Sequence, residues 1–417
     1  MDASMNEKQN MVLNMIQEGK NVFLTGPAGT GKTFTIRKVI QWLKTQDIRF
    51  GITASTGFVA LLIGGRTLHS YLGIGINKKT STEMAKYMRK DVKNKLKVLD
   101  FLIIDEISML NNEMFVDISH LLCIIKGNTE PFGGVQVLLC GDFCQLPPVE
   151  PDYAFMCEEW ERAGLTTITL TQSYRQGDDL AFFQMLQRLR FAKPSREDIS
   201  SLRSRVNLSY DDQDINPTRL YALNRDVEKI NIHAYNGLVE QGRRNMAYKS
   251  TYTNKEARDW ADACGIPEVV YLCEGCQVVL TRNLDSEAGL VNGSRGVVVS
   301  VGSEGPFVRF LNNRTVQIGF ATAEMEQKNL LASNQKVNPV TVDYMPIRLA
   351  YALTIHKSQG MTLDAVEIDL GYSIFSPGQA YTALSRAKNL DSVWITKFTP
   401  SSFKTDQEVL RFYQSNL

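Results

Sequence analysis

The 417 residues exceed what one compact core usually takes up, so two main domains with insertions are expected. No apolar run approaches the roughly 18 residues of a membrane span, and the opening MDASMNEKQN is neither a signal peptide nor an Arg-rich transit sequence, which points to an intracellular protein. A net charge of +1 carries no bulk pull toward nucleic acid, and seven cysteines at irregular spacing argue for a reducing compartment over a disulfide framework.

The first stretch that carries chemistry runs NVFLT, GPAGTGKT, FTIRKVIQWL: an apolar strand, a Gly-rich turn and a helical pattern. Gly26, Pro27, Ala28, Gly29, Thr30 and Gly31 form a loop whose glycines let backbone N–H groups approach phosphate oxygens. The following helix adds its positive end. Lys32 places a charge on the outer phosphates, and the Thr33 hydroxyl is a magnesium ligand. Between Asn77 and Lys97 eight Lys or Arg stand against two acidic residues, either a solvated face or an element that contacts phosphates.

VLDFLIIDEIS then gives a buried parallel strand ending in Asp105 and Glu106. Adjacent residues at a strand end face opposite ways, so Asp105 can serve the metal while Glu106 acts as general base on the attacking water. VQVLLCGDFCQLPPV ends a neighbouring strand and places Gln145 toward the terminal phosphate as a sensor. An ATPase core with Mg2+ is expected over 1–165.

LTQSYRQ follows the strand pattern TTITL, and Phe182, Met185, Leu186 and Leu189 recur as one buried helix face. Arg175 falls at the boundary between the halves. From about 236 to 346 the pattern turns to short β segments, with Asn292-Gly293 and Asn312-Asn313 as turns, which predicts a small β-barrel-like insertion. Cys273 and Cys276 have the spacing of half a zinc site, but no second pair follows, so two small residues at a strand entrance are expected.

The blocks GPAGTGKT, ASTGFVALLIGGRTLHS, DEIS, PFGGVQVLLCGDFCQLPPV, LTQSYRQ, GLVNGSRGVVV, IHKSQGMTLD and GQAYTALSRA occur in an order and spacing that resembles the Pif family (petite integration frequency) of superfamily-one DNA helicases, over nearly the whole chain. The resemblance implies an α/β fold of two RecA-like domains with parallel sheets: one over 1–165 with a wedge insertion at about 71–97, one over 166–235 and 347–417, and the β insertion over 236–346. It implies an ATP- and Mg2+-dependent motor that moves 5′-to-3′ on single-stranded DNA and separates duplex at forks. By the same resemblance Arg175 and Arg386 reach the terminal phosphate, and Gln9 reads adenine. Ser55, Thr56, Phe58, Thr67, His69, His356, Lys357, Ser358 and Gln359 are implied on the DNA track, with Phe58 either stacking a base or, as expected here, packing beneath its loop. The family further implies roles in replication, repair, recombination, telomere maintenance or G-quadruplex resolution, with a monomer as the active unit. Two rivals stand beside this: a DNA- or RNA-stimulated translocase that does not unwind duplex DNA, and a nucleotide-switched binding protein. A simple switch needs no pair of arginines, which argues against the second.

Overall fold

The structure, a computed structural model, describes residues 4–74, 80–150, 152–176, 179–209, 215–222, 224–285, 287–325 and 339–416. The apolar runs of the first half form β1 (Val22–Thr25), β2 (Phe50–Ala54), β3 (Arg66–Thr67), β4 (Phe101–Asp105), β5 (Gln136–Cys140) and β6 (Thr166–Thr169). They make one parallel sheet in the order β3-β2-β4-β5-β1-β6. Every residue of β1, β2 and β4 is buried, as a parallel sheet covered on both faces requires. Alternate side chains feed two separate cores: Phe23, Leu102, Ile104 and Leu139 on one face, Val22, Leu24, Ile103 and Leu138 on the other. Pairing of Leu24 with Cys140 and of Ala54 with Asp105 brings the strand ends to a common rim.

The chain next lays down β7 (Thr218–Tyr221) and the helix Asn224–Glu240 before entering the insertion. There β8 (Asn245–Lys249), β9 (Thr251–Tyr252), β10 (Val269–Cys273), β11 (Gln277–Leu280), β12 (Arg295–Ser300), β13 (Phe307–Phe310), β14 (Thr315–Gln317), β15 (Ala321–Glu324), β16 (Thr341–Tyr344) and β17 (Ile347–Leu349) follow. They pair as β14-β13-β12-β11-β17, β10-β8 and β15-β16-β9. Among the described residues strand pairing does not close these into the expected barrel: Val342 and Tyr344 of β16 pack with the first domain's core, whereas Tyr248 and Leu272 of the ribbon share a core with Val278, Val298 and Val308. Cys273 and Cys276 are buried thiols in that core, at the end of β10 and just before β11. The chain returns through β18 (Ala352–Thr354), β19 (Val366–Leu370) and β20 (Val393–Phe398), which with β7 form a second parallel sheet, β18-β7-β19-β20.

Four expected boundaries move. β6 pairs with β1 through Val22 and Thr166, so the first sheet runs past 165. The helix Asn224–Glu240 spans the expected break at 235/236. β17 pairs with β11, so the insertion extends beyond 346. The last helix, Gln407–Asn416, leaves the second domain and packs Val409, Phe412 and Tyr413 into the first domain's core, with the Phe412 ring 4.3 Å from Phe155. β6 lies where its strand pattern places it; what each of these elements packs against is set by distant residues.

The expected wedge consists of two short helices, Ser81–Tyr87 and Lys90–Lys97, held to the helix Asn112–Lys126 through Met84, Ala85 and Leu96. Residues 77–79 of the Lys-rich stretch lie outside the described residues. Lys86, Lys90 and Lys93 are exposed. Lys95 instead turns inward, donating to the Tyr71 carbonyl at 2.8 Å with its ammonium over the Tyr71 ring, and burial with Arg66 nearby lowers its pKa to about 7.

Candidate functional site

The loop between β1 and the helix Lys32–Leu43 is shaped by what lies against it. At Gly29, φ is 83° and a Cβ would fall 2.6 Å from the Arg175 Cβ, so no larger residue fits. The Lys32 Nζ donates to the carbonyls of Gly26 (2.6 Å) and Pro27 (3.0 Å), and Thr30 Oγ1 donates to Pro27 as well (2.9 Å), which holds the charge over the loop. Thr33 borders a cavity of about 640 Å³ that Arg37, Arg282, Asn292 and Thr362 also line.

Gln9 uses half its amide: Oε1 accepts from the Asn6 N–H in a capping box, while Nε2 is buried without a partner beside Gly31. The Tyr174 ring lies against the same glycine, 52% exposed, with its hydroxyl accepting from Asn6 Nδ2 at 2.9 Å. An unpaired buried donor next to an open aromatic face suits a planar heteroaromatic base.

Asp105 ends β4, 4% exposed, and accepts from the Glu106 N–H at 2.9 Å; burial raises its pKa. Glu106 departs from the expected strand alternation. Its backbone is left-handed (φ 54°, ψ 47°), where the chain turns into the short helix Ile107–Met109. Its Oε2 is buried with no partner, and burial, then the charge of Asp105, pushes its pKa up to about 7. A carboxylate so poised can take a proton from water. Thr33 and Asp105 each offer one oxygen, and no cluster of three or more His, Cys, Asp or Glu occurs among the described residues. A magnesium ion therefore fits here as one bound mainly by phosphate and water oxygens.

Arg175 and Arg386 converge on Ser385. The Arg175 Nε donates to Thr362 Oγ1 and its Nη1 to the Ser385 carbonyl, both at 2.8 Å. Arg386 donates to the Thr382 carbonyl (2.9 Å) and the Ser385 hydroxyl (2.8 Å). Neither makes an ion pair among the described residues. Burial and the neighbouring guanidinium lower Arg175 to about 9, and burial also lowers Arg386 against the pull of Glu106. Arg175, expected on the second domain, instead has its backbone on the phosphate loop, where Tyr174 N–H donates to the Gly29 carbonyl, and only its guanidinium reaches across. Gln145 is 4% exposed, and its carbonyl would lie 1.9 Å from a Cβ at Gly378 (φ 74°), so the second domain docks against its backbone.

The residues implied on the DNA track divide. Ser55 donates its hydroxyl to the Glu106 carbonyl (2.8 Å), while Thr56 and Thr67 cap the helices Gly57–Leu62 and Leu68–Leu72. His69 is half-buried, which lowers its pKa. Phe58 packs toward the second domain's core with the Arg348 guanidinium 5.4 Å from its ring. His356 and Lys357 are exposed. Ser358 and Gln359 are not: Ser358 donates to the Ile355 carbonyl (2.8 Å), and both polar atoms of Gln359 are buried without partners. The tight turn after β18, with Ser358 N–H bonded to the Thr354 carbonyl, turns them inward.

Several site residues escaped sequence reasoning. Tyr381, in the same block as Arg386, accepts the Ala28 N–H at 3.0 Å. Gln176 donates to the Ala387 carbonyl at 3.0 Å across the cleft. Asp142 and Arg190 form a buried ion pair at 2.8 Å that Tyr413 joins. Tyr174 and Gln176 flank Arg175, a signal that was available; Arg190 and Tyr413 had none.

Residues 4–202 match the family model PIF1-like helicase, and residues 263–301 match DNA helicase Pif1, 2B domain. The chain is 36% identical over 421 residues to the ATP-dependent DNA helicase PIF1 of Homo sapiens, covering 98% of this chain and 63% of that one. It is thus similar to less than two thirds of the human protein's length. To the ATP-dependent DNA helicase Pif1 of Bdellovibrio bacteriovorus it is 34% identical, covering 99% of this chain and 92% of that one. The structure of Bacteroides sp Pif1 in complex with ADP-AlF4 superposes with a TM-score of 0.83 at 27% identity, covering 99% and 97% of the two chains.

Proposed function

The chain belongs to the PIF1-like helicase family, and on that premise we propose that it hydrolyses ATP in the cleft between its two parallel sheets and uses the cycle to move 5′-to-3′ along single-stranded DNA and part the duplex ahead. The observation that carries this reading is the pair Arg175 and Arg386, half-buried and buried respectively, at the phosphate loop without a carboxylate partner among the described residues. Two guanidiniums held in each other's field are stabilised when an anion lies between them.

In this reading Gln9 and Tyr174 hold the base, and Lys32 and the loop N–H groups hold the phosphates. Thr33 and Asp105 would hold a magnesium ion, which would supply charge neutralisation on the terminal phosphates. Glu106 accepts the proton of the attacking water. Gln145 registers the terminal phosphate, and Arg175 and Arg386 stabilise charge as it develops there. Because Arg175 stands on one domain and hydrogen-bonds the other, loss of that phosphate loosens both sides of the cleft together. His356 and Lys357, exposed at the rim, suit a sugar-phosphate track read without sequence preference. One chain supplies both arginines and the loop, which supports a single chain as the active unit.

The test is ATP turnover with and without single-stranded DNA, and unwinding of matched DNA and RNA forks carrying 5′ tails. DNA-stimulated turnover with unwinding of the DNA fork is expected. Turnover without unwinding would favour a translocase, and turnover indifferent to nucleic acid would sink the motor.

A further inference from the structure

We infer that the hydroxyl of Tyr413, on the last helix of the chain, sets the spacing between the phosphate loop and the turn that carries Gln145, and so is a positioning residue for the hydrolysis proposed above, on which this inference rests. The hydroxyl is buried and lies 2.8 Å from Thr25 Oγ1, 3.1 Å from the Phe143 N–H and 3.2 Å from Asp142 Oδ1. Thr25 is the last residue of β1, directly before Gly26. Asp142 builds the sensor turn: its carbonyl accepts the Gln145 N–H at 2.9 Å and its Oδ1 accepts the Cys144 N–H at 3.1 Å.

The hydrogen bonds around the phenol leave one arrangement. Burial alone would raise the pKa of Asp142, but the Arg190 guanidinium, bonded to it at 2.8 to 3.1 Å, holds it below the usual carboxylate range. An ionised carboxylate only accepts, so Tyr413 donates to Asp142. Its oxygen accepts from Phe143 N–H, which leaves the Thr25 hydroxyl as the second donor to it. One oxygen thus touches both strand ends.

Nothing else at this depth does so among the described residues. The ladder between β1 and β5 stops at the bond from Gly141 N–H to the Leu24 carbonyl, after which the two loops diverge. The helix that delivers the phenol is seated independently of the hydroxyl, by Val409 and Phe412 in the aromatic core, so a phenylalanine at 413 fills the same volume and removes only the bridge. Thr405 Oγ1 bonds the Arg190 carbonyl and ties the segment leading into this helix to the same cluster.

The experiment compares Tyr413→Phe, Thr25→Val, the double variant and Tyr153→Phe in the full chain. Tyr153 is a second buried tyrosine of that core; its ring meets the Phe143 ring at 6.0 Å, but among the described residues its hydroxyl bonds neither loop. Tyr413→Phe should lower kcat for ATP about 10- to 100-fold with KM shifted less than about twofold. Thr25→Val should do the same from the other side of one bond, and the double variant should be no worse than either, since both remove one bridge. Tyr153→Phe should leave turnover as in the wild type. In the nucleotide-free chain, amide hydrogen exchange should quicken in segments 24–31 and 141–147 while the helix Asn112–Lys126 keeps its protection. Unchanged kcat, an equal loss in Tyr153→Phe, single defects that multiply, or exchange quickened throughout the first domain would each overturn the inference. A wild-type chain without DNA-stimulated turnover would sink the functional reading instead, and the inference with it.

Discussion

Two clusters of buried charge flank the turn at Gln145, and they are built on opposite terms. In one, Asp142 and Arg190 meet at 2.8 Å with side chains 0% and 3% exposed, and Tyr413, Thr25 and Cys144 take up the remaining hydrogen-bonding positions. In the other, Arg386 is buried and Arg175 and Glu106 are half-buried, with no ion pair among them; Arg175 falls to about 9 and Glu106 rises to about 7, each pushed toward its neutral form, desolvation first in both. Burial without a partner is costly for an ionised group, and proteins retain it where a ligand completes the set. The first cluster is complete in the protein alone and holds the fold; under the proposed function, an anion and a water complete the second.

The sharpest way to break that contrast is at the arginines. Arg175→Ala and Arg386→Ala should each lower kcat by about 10³ to 10⁵, with a double variant far less affected than the product of the two, because both act on one transition state. Thermal melting should show only a small loss of stability from either, since hydrogen bonds but no ion pair are broken; a drop in Tm as large as that of Arg190→Ala would make them structural and erase the distinction.

Glu106→Gln should slow hydrolysis by about 10² to 10⁴ while leaving ATP binding intact in an equilibrium titration. The wild-type kcat/KM should rise as pH passes about 7, where the carboxyl loses its proton, and the variant should lack that limb. Stability carries the same signature. Between the ordinary value of 4.5 and about 7 the folded chain keeps a proton that the unfolded chain has released, so this carboxyl makes stability fall as pH rises through that window. Above pH 7 the variant should melt higher than the wild type, and an identical pH dependence of Tm in both would remove the assignment.

Asp142→Ala or Arg190→Ala should cost about 3–5 kcal/mol in urea unfolding, because each strands a buried charge. A cost near that of a surface pair would mean that this cluster too is incomplete. The smallest effect is expected at the wedge helices. Replacing the exposed Lys86, Lys90 and Lys93 by Ala should leave ATP turnover unchanged and flatten the salt dependence of single-strand affinity by about 0.7 per lost phosphate contact. An unchanged slope would return them to a solvated face.

Legibility in the sequence followed the range of each interaction. The phosphate loop, the buried strand before Asp105 and the helix face of Phe182, Met185, Leu186 and Leu189 depend on neighbours within a few residues, and all three appear where their patterns place them. His356, Lys357, Ser358 and Gln359 of IHKSQG were implied together on a DNA track, yet the tight turn exposes His356 and Lys357 and buries Ser358 and Gln359. A run of polar letters does not say which way a turn points its side chains.

The sequence by itself therefore determined the parts whose geometry is local: strand, Gly-rich turn, helix, paired carboxylates, and the residue types needed to hold phosphates. Only the tertiary structure decided who shares the cleft. It placed β6 in the first sheet, set Arg175 on the phosphate loop while its guanidinium bonds the other domain, and brought the Tyr413 hydroxyl to Thr25 across 388 residues of chain. A hydrogen bond between such distant residues imposes no period and no spacing on the chain between them, so it becomes visible when the two cores have packed.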